Sequence, residues 1–524
     1  MGKLVTNESE KQPAPQPNQV AEDYVLKCLV LESEGDGMLF DALMRDKLLY
    51  VAAEDAWYVW NGQAWRRDDM GRVPGFVRFV TDCYGEAIKR LEEQIPRPET
   101  GEALGRSGKS WAEVKIEQLQ KKICFLRRDS GRTACLKFAR TNLGNHLAIS
   151  PGKFDRNPWL LGVQNGVIDL RSGELLPGRP DDWVSRQCGC IYDQNIDQRP
   201  WLAFIDDITC GDQELALFLQ CLVGQSLVGE IRERIFPFLL GRRGANGKSQ
   251  FLKALRQTLG DYAGSISNRL FIQTKAPKGS GQADADLMKL EGLRLAIVSE
   301  VPEFAKFDTE QVKRLTGNDD LEGRNPYETR SREFTPTHTC LMVGNDEPVP
   351  PTGDQAFWDR TFLIQFKARF VKANPDPAKN EKLADPAMES KLHDMMPQIL
   401  AWAVAGCMQW QADDYKLRPP ESVLKSTEEY REDADWLGQF LAACCEEVPG
   451  AQTQATTLHQ VLTIWWANNM DANKKTIPSQ QSLGRKMKKL GTYPHDRSTG
   501  RVFYQNIAVL PVWEEQLWTE ADVD

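Results

Sequence analysis

Apolar positions along this chain change their spacing several times, and each change marks an element. After a polar, Pro/Gln-rich opening at residues 1–20, residues 21–47 carry apolar positions at helical spacing, among them Val25, Leu26, Cys28, Leu29 and Val30. Two strand-like runs then flank Asn61-Gly62, a strong hairpin signal, with Trp57, Trp60 and Trp65 around it. Aromatics on a hairpin pack a core more often than they stack on bases, so these three are read as core. Residues 73–93 and 111–147 look helical, with a Pro/Gly/Ser-containing break between Pro96 and Ser110. Residues 157–179 read as a second hairpin region with turns at Asn165-Gly166 and Ser172-Gly173, and 199–229 return to helical spacing. From Ile235 to about Phe370, short apolar strands alternate with helices, the pattern of an α/β sheet. A helix over 388–412, a Pro419-Pro420 break, and short helices ending in an apolar strand pair complete the chain. No fixed-period repeat is present.

Composition narrows the class without naming it. The 524 residues are 41% hydrophobic and 27% charged, ordinary for a globular chain of about three domains. No apolar run approaches 18 residues, so no membrane contact is expected, and the opening lacks the apolar core of a signal peptide. Twelve cysteines contain no CxxC pair, and Cys188-Gly189-Cys190 has no second pair to complete a zinc site. Buried thiols in a reducing cytoplasm are expected. The net charge is −9, yet residues 106–140 hold ten Lys/Arg against three acids, and 472–501 hold eight against one. Such patches fit binding at defined surfaces or, as readily, solvated helix faces.

The chemistry sits in IFPFLLGRRGANGKSQFLKAL. An apolar strand (Ile235–Leu240) feeds a Gly-rich loop, and a helix starts at Lys248. That context makes the run a phosphate-binding loop: backbone N–H groups and a helix N-terminus cradle phosphate, Lys248 reaches the terminal phosphates, and Ser249 ligates Mg2+. Gly244, Ala245, Asn246, Gly247, Lys248, Ser249 and Gln250 form the expected nucleotide site. Arg242 stands where a strict motif has glycine, with Gly241 displaced by one. Fifty-two residues beyond Lys248, the strand LRLAIVSE ends in Glu300, an acid placed to hold the Mg2+ shell and orient water, with Glu303 a second candidate. Asn345 ends a further strand and is a candidate γ-phosphate sensor, and Arg360 precedes TFLIQF. An arginine there either pairs within its own chain or reaches a neighbour's nucleotide.

The order GxxGxNGKS, LAIVSE, VKRLTGNDDLEGRNPY, EFTPTHTCLMVGNDEP, FWDRTFLIQF resembles the superfamily 3 DNA helicases of the phage/plasmid and poxvirus primase-helicase type. The likeness extends over about residues 45–510, through NPWLLGVQNGVIDLRSGEL before the motor and RPPESVLKSTEEYREDADWLGQFL after it. It implies a multidomain α/β chain: a central P-loop ATPase of AAA+-like kind, an α+β N-terminal domain and a C-terminal winged-helix-like domain. The expected divisions are a disordered arm at 1–20, an oligomerisation or DNA-loading domain at 21–230, the motor at 231–415, the winged-helix-like domain at 421–511 with Arg485, Lys486, Lys488 and Lys489 on DNA, and an acidic tail at 512–524. The resemblance makes Lys248, Glu300, Asn345 and Arg360 catalytic, with Ser249 and Glu300 at the metal. Lys313, Arg324, Tyr327 and Arg330 become DNA contacts on or near a hairpin facing a ring pore. Asp359 stands where a second arginine is frequent, and would hold Arg360 in cis. The implied cofactors are ATP and Mg2+. The implied partners are single-stranded and forked DNA, five further copies in a homo-hexamer, and a separate primase or polymerase. Asp68-Asp69, Asp181-Asp182 and Asp206-Asp207 lack the strand-borne alternation of a primase site, so no primase activity is expected. The function implied is a replicative helicase of a phage, prophage or plasmid in a bacterial cytoplasm. An origin-binding initiator and a non-replicative defence or packaging ATPase are the alternatives.

Overall fold

The computed structural model describes residues 20–95, 109–142, 144–241, 244–273, 285–298, 301, 305–324, 331–345, 348, 351, 354–432, 436–469, 477–490, 492–498 and 501–521. The first unit holds α1 (Glu22–Val30), α2 (Glu32–Met44), β1 (Leu48–Val51), β2 (Ala56–Trp60), β3 (Trp65–Arg67), α3 (Arg78–Glu93), α4 (Trp111–Leu126), α5 (Asp129–Thr141) and β4 (Ala148–Ile149). The helical stretch expected over 21–47 is two helices, because Glu32 takes a left-handed φ of 55°. Gly35 and Gly37 then let α2 press onto the end of α1 and onto α5, where an added Cβ would overlap the Cys28 and Ala139 backbones. The stretch expected over 111–147 likewise breaks, at Arg127-Arg128, and its second helix ends at Thr141. The hairpin at Asn61-Gly62 forms, Asn61 Oδ1 accepting from the Gln63 and Ala64 N–H groups at 2.9 and 2.8 Å. Trp65 is buried and Trp57 packs against the helical core, as expected of core aromatics.

One ion pair locks this unit from within. Lys122, which the sequence counts as part of a basic surface run, is buried instead. Its Nζ lies 2.9 Å from Asp36 Oδ2 and 3.1 Å from Glu32 Oε2. Tyr84 donates to Asp36 Oδ1 at 2.8 Å. Burial pushes the Asp36 carboxyl up, against the pull of both bonds.

The second and third parts share one core. β5 (Leu160–Val163), β6 (Gly166–Asp169) and β7 (Glu174–Leu176) form an antiparallel sheet, followed by α6 (Arg199–Thr209) and α7 (Gln213–Ser226). The sequence assigns these to an N-terminal domain ending at 230. In the structure, Trp201, Phe204 and Leu222 pack in one cluster with Phe251, Leu255 and Trp402 of the following segment. The cause is steric and apolar together. Gly224 and Gly406 allow α7 to lie directly on a later helix, where a Cβ at either would overlap backbone. The helical N-terminal core, from Val25 to Leu147, shares no buried residue with that cluster.

The motor segment runs β8 (Phe236–Leu240), α8 (Lys248–Leu259), β9 (Ala263–Ile266), α9 (Ala285–Met288), β10 (Leu295–Val298), α10 (Thr309–Leu315), β11 (Leu321–Gly323), β12 (Arg332–Phe334), β13 (Thr339–Gly344), α11 (Gln355–Trp358), β14 (Thr361–Gln365), β15 (Arg369–Val371), β16 (Glu381–Leu383), α12 (Met388–Asp394), α13 (Met396–Ala412) and α14 (Glu421–Glu432). Its main sheet is parallel, in the order β14-β8-β13-β10-β9. Strand residues alternate between two apolar layers. Leu239, Ile297, Leu341 and Ile364 face one, and Phe238, Ala296, Met342 and Leu363 face the other. α14 belongs here and not to the C-terminal domain the sequence places it in. Thr427 Oγ1 accepts from Leu363 N at 2.9 Å on the edge strand β14, and Tyr430 sits in the motor core. Pro419-Pro420 breaks the helix but does not separate the domains.

The last unit is α15 (Trp436–Cys444), β17 (Cys445–Gln454), α16 (Ala455–Asn469), α17 (Gln480–Leu490), β18 (His495–Ser498), β19 (Arg501–Val509) and α18 (Pro511–Ala521), with sheet order β17-β19-β18. Leu458, Trp465, Met487 and Ile507 share its core. The expected acidic tail is α18 over its described part. Trp513 Nε1 donates to Ala443 O at 3.0 Å, so two apolar side chains, Trp513 and Leu517, tie it down. Among the described residues no helix is long and apolar enough to cross a membrane, and no His/Cys/Asp/Glu group has metal-holding geometry. All twelve thiols are free, and most are buried.

Replacing Lys122 by Met would leave Asp36 buried without its cation. Urea unfolding at pH 7.5 is expected to show a loss of roughly 3–5 kcal/mol. The Asp36 carboxyl is already raised above its unfolded value, so protonation favours the folded state. The deficit must therefore narrow as pH falls, and a deficit constant from pH 7.5 to 5 would contradict this.

Candidate nucleotide site

The topology brings the expected residues to one end of the sheet. β8 lies between β13 and β14, and the chain leaves it for β9 at the far edge. A crevice therefore opens at the carboxyl end of β8, the place where parallel sheets take ligands. The Gly-rich loop occupies it. Gly241 N donates to Gly344 O at 3.1 Å, joining the ends of β8 and β13.

The displaced glycine has a specific reason. A Cβ on Gly241 would overlap the side-chain amide of Asn246, which is buried beneath the loop. Asn246 Oδ1 in turn accepts from Lys248 N at 3.2 Å and fixes the first helical residue. Ala245 and Gly247 take left-handed φ values of 60° and 82°. Gly247 has no room for a side chain either, since Ile208 of α6 fills that position. Gly244, Ala245 and Ser249 are exposed. Arg242 lies outside the described residues.

Lys248 is 1% exposed. Its Nζ donates to Gly344 O and, at 3.0 Å, to Asn345 Oδ1. The lysine and the expected sensor thus meet at the carboxyl edge between two neighbouring strands, beside the N-terminus of α8. Gln250 follows in the first turn and is half-buried. Glu300 and Glu303 lie outside the described residues. β10, the strand before Glu300, pairs with β13 through Val298 and Met342.

Arg360 is not brought to this group. It precedes β14, whose Thr361 pairs with Phe236 at the start of β8, while Gln365 pairs with Leu240 at its end. Four residues of strand, about 13 Å, separate it from the carboxyl edge. Arg360 donates to Ala356 O, and its buried Nε has no partner among the described residues. Asp359, expected to hold Arg360, instead accepts from Gln355 Nε2 at 2.6 Å.

β11 and β12 form an antiparallel pair, with Leu321 opposite Phe334 and Gly323 opposite Arg332. Arg324 follows β11, and Tyr327 and Arg330 lie outside the described residues. Lys313, expected on DNA, is committed within the chain: its Nζ lies 3.1 Å from Asp354 Oδ2. Burial raises the Asp354 carboxyl, but bonds from Thr309, Lys313 and the Phe357 N–H bring it below the ordinary range. Asp354 also caps α11, the helix leading to Arg360.

Sequence reasoning missed the opposite wall of the crevice. Phe370 N donates to Ala245 O at 2.7 Å, laying β15 against the loop. A cleft of about 740 Å³ there is lined by Gly244, Ala245, Arg369, Phe370, Val371 and Lys372. Lys372 is exposed, and Arg369 is paired with Glu381 at 3.0 Å. The three cations in FKARFVK (Lys367, Arg369 and Lys372) were the available signal.

Residues 37–210 match the family described as "D5 N terminal like". A protein of Acanthamoeba polyphaga mimivirus named "Putative helicase L207/L206" is 26% identical over 330 residues, covering 60% of this chain and 34% of its own. A protein of African swine fever virus named "Putative primase C962R" is 23% identical over 464 residues, covering 83% of this chain and 47% of its own. The chain thus spans about a third to a half of the length of these relatives. Among solved structures, the apo C-terminal region of NrS-1 overlaps 60% of this chain and 75% of its own, at 10% identity and a TM-score of 0.36.

Gly247→Ala should test the loop directly. The new methyl meets Ile208 and a left-handed backbone costing roughly 1–2 kcal/mol. Thermal unfolding should show a lower Tm together with weakened nucleotide binding. An unchanged Tm with normal binding would contradict this geometry.

Proposed function

We propose that this chain corresponds to the helicase region of a superfamily 3-type primase-helicase, a reading supported by its likeness to the D5 N terminal like family and to viral proteins named helicase or primase, and that it is an ATP-dependent replicative DNA helicase working as a ring. The observation carrying the proposal is the meeting of Lys248 and Asn345 at the carboxyl edge of a parallel sheet, directly after a glycine-rich turn.

The residues fit a nucleotide triphosphate with Mg2+. The positive φ values at Ala245 and Gly247 turn the loop into a cradle ahead of α8. Exposed backbone there, the helix N-terminus and the Lys248 ammonium form a set of donors and positive charge suited to phosphates. Ser249, exposed in the first turn, offers the hydroxyl for Mg2+, and Glu300 the carboxylate. When bound, Mg2+ supplies neutralisation of charge on the phosphate oxygens. Lys248 holds the terminal phosphates. Glu300 orients the attacking water and accepts its proton, and the Asn345 amide fixes that water or the γ-phosphate. Arg360 faces the other end of the sheet, which suits a finger acting on the neighbouring copy's nucleotide, so a hexamer completes each site.

The order α15-β17-α16-α17-β18-β19 supports the winged-helix-like reading of residues 436–509. Lys488 on α17 is exposed, whereas Lys486 Nζ lies over the Trp436 ring at 4.6 Å and is drawn into the domain. Single-stranded DNA would pass the β11–β12 hairpin, with Arg324, Tyr327 and Arg330 at the strand. The replicon carried over from the sequence resemblance is a phage, prophage or plasmid in a bacterial cytoplasm, with primer synthesis by a separate primase or polymerase.

Lys248→Ala is expected to abolish ATP turnover and forked-duplex unwinding together, while leaving the fold intact by circular dichroism. DNA-stimulated turnover in wild type checks the motor. Turnover without unwinding would favour a non-replicative ATPase, and tight duplex binding insensitive to the substitution would favour an initiator.

A further inference from the structure

The N-terminal unit carries a charged surface that the nucleotide site does not use. Along residues 106–140 three of the described cations are paired with acids: Lys109 with Glu117, Lys122 with Asp36, and Arg140 with Asp55. At the end of α4 and its turn into α5 the pattern reverses. Lys121, Arg127, Arg128 and Arg132 are all exposed, and none has a side-chain partner among the described residues. Lys121 and Arg128 line a hollow of about 420 Å³ with Cys124 and Phe125. Glu117 lines it too, with its carboxylate engaged by Lys109. Asp129, the acid in the turn, sits in the first turn of α5, where a helix N-terminus favours it.

The same helix exposes an aromatic. Trp111 opens α4 and is 59% exposed, with no ring partner among the described residues. It shares the N-terminal half of α4 with Val114, also exposed. From Trp111 to Arg128 the helix spans about 25 Å. Exposed cations thus gather at the C-terminal end of the helix and an exposed indole stands at its N-terminal end, on a chain whose net charge is −9. Cations spaced along a groove with a stacking ring nearby are what a sequence-independent single strand requires.

We propose that α4 and the α4–α5 turn form a track for single-stranded DNA, with Lys121, Arg128 and Arg132 on successive phosphates and Trp111 stacked on a base. The track is separate from the β11–β12 hairpin and from α17, and rests on the helicase reading only in its choice of ligand. It would hold a strand before the motor engages it.

The test uses the full chain and a fluorescent 15-nucleotide oligo(dT). The variants are Lys121→Glu/Arg128→Glu/Arg132→Glu, Trp111→Ala and Lys248→Ala. All substituted surface positions are exposed, so circular dichroism should match wild type. The triple variant should lose at least about tenfold in affinity at low salt, and its log–log salt dependence should be shallower by about 2. Trp111→Ala should weaken binding without changing that slope. Bound oligonucleotide should slow maleimide modification of Cys124, the one exposed thiol, by severalfold. Lys248→Ala should keep the track's binding while losing ATP turnover. Unchanged affinity and slope in the triple variant with an unprotected Cys124 would overturn the track, even where DNA-stimulated turnover survives and upholds the motor. Absence of oligonucleotide binding by wild type would overturn the track and the helicase reading alike. If an acidic peptide protects Cys124 and oligonucleotide does not, the surface is a protein-docking site and the proposal fails.

Discussion

A parallel sheet has two ends, and a side chain at one end cannot serve chemistry at the other. This constraint organises the molecule. Because β8 lies between β13 and β14, its carboxyl end gathers the glycine-rich loop, Lys248 and Asn345 within hydrogen-bonding distance. The same parallel register fixes Arg360 at the amino end, beside the start of β8. No loop movement confined to α11 carries it across about 13 Å of buried strand. A site that uses both groups has to be assembled from two copies. Burial of both faces of β8 makes the arrangement rigid, since sliding one strand would expose an entire apolar layer.

The supporting contacts share this logic. Asn246 can fill the space beneath the loop because Gly241 leaves it open, and Gly247 can turn because α6 closes over it. α6 and α7 are therefore parts of the motor in packing terms, and Gly224 against Gly406 is the joint that holds them there. The pair Lys313–Asp354 links α10, which leads into the β11–β12 hairpin, to the cap of α11, which leads to Arg360. That pair joins the segment before the hairpin to the helix before Arg360 by one short side-chain contact.

Much of this was legible in the sequence wherever the signal was local. The strand before Gly241, the helix from Lys248, the hairpin at Asn61-Gly62 and the alternation after Ile235 all follow from spacing and turn chemistry. What was not legible depends on partners distant in sequence. Lys122 counts as a surface cation until Asp36, 86 residues earlier, is packed against it. The break at Glu32 needs a left-handed backbone that no turn residue announces. Residues 157–230 and α14 carry apolar faces whose partners lie in the motor, and local spacing does not reveal those partners. The acidic count of the last residues hides Trp513 and Leu517, which pin α18. Arg369 and Lys372 join the crevice only through the β15 contact with Ala245.

The central claim is that each nucleotide site is shared between copies, and it is tested most directly by mixing two inactive chains. Lys248→Ala and Arg360→Ala should each be inactive alone. Co-assembled in equal amounts, they should recover ATP turnover at about a quarter of the sites, those pairing an intact lysine with an intact neighbouring arginine. Full turnover by Arg360→Ala alone, or no recovery in mixed assemblies shown to form, would contradict the account.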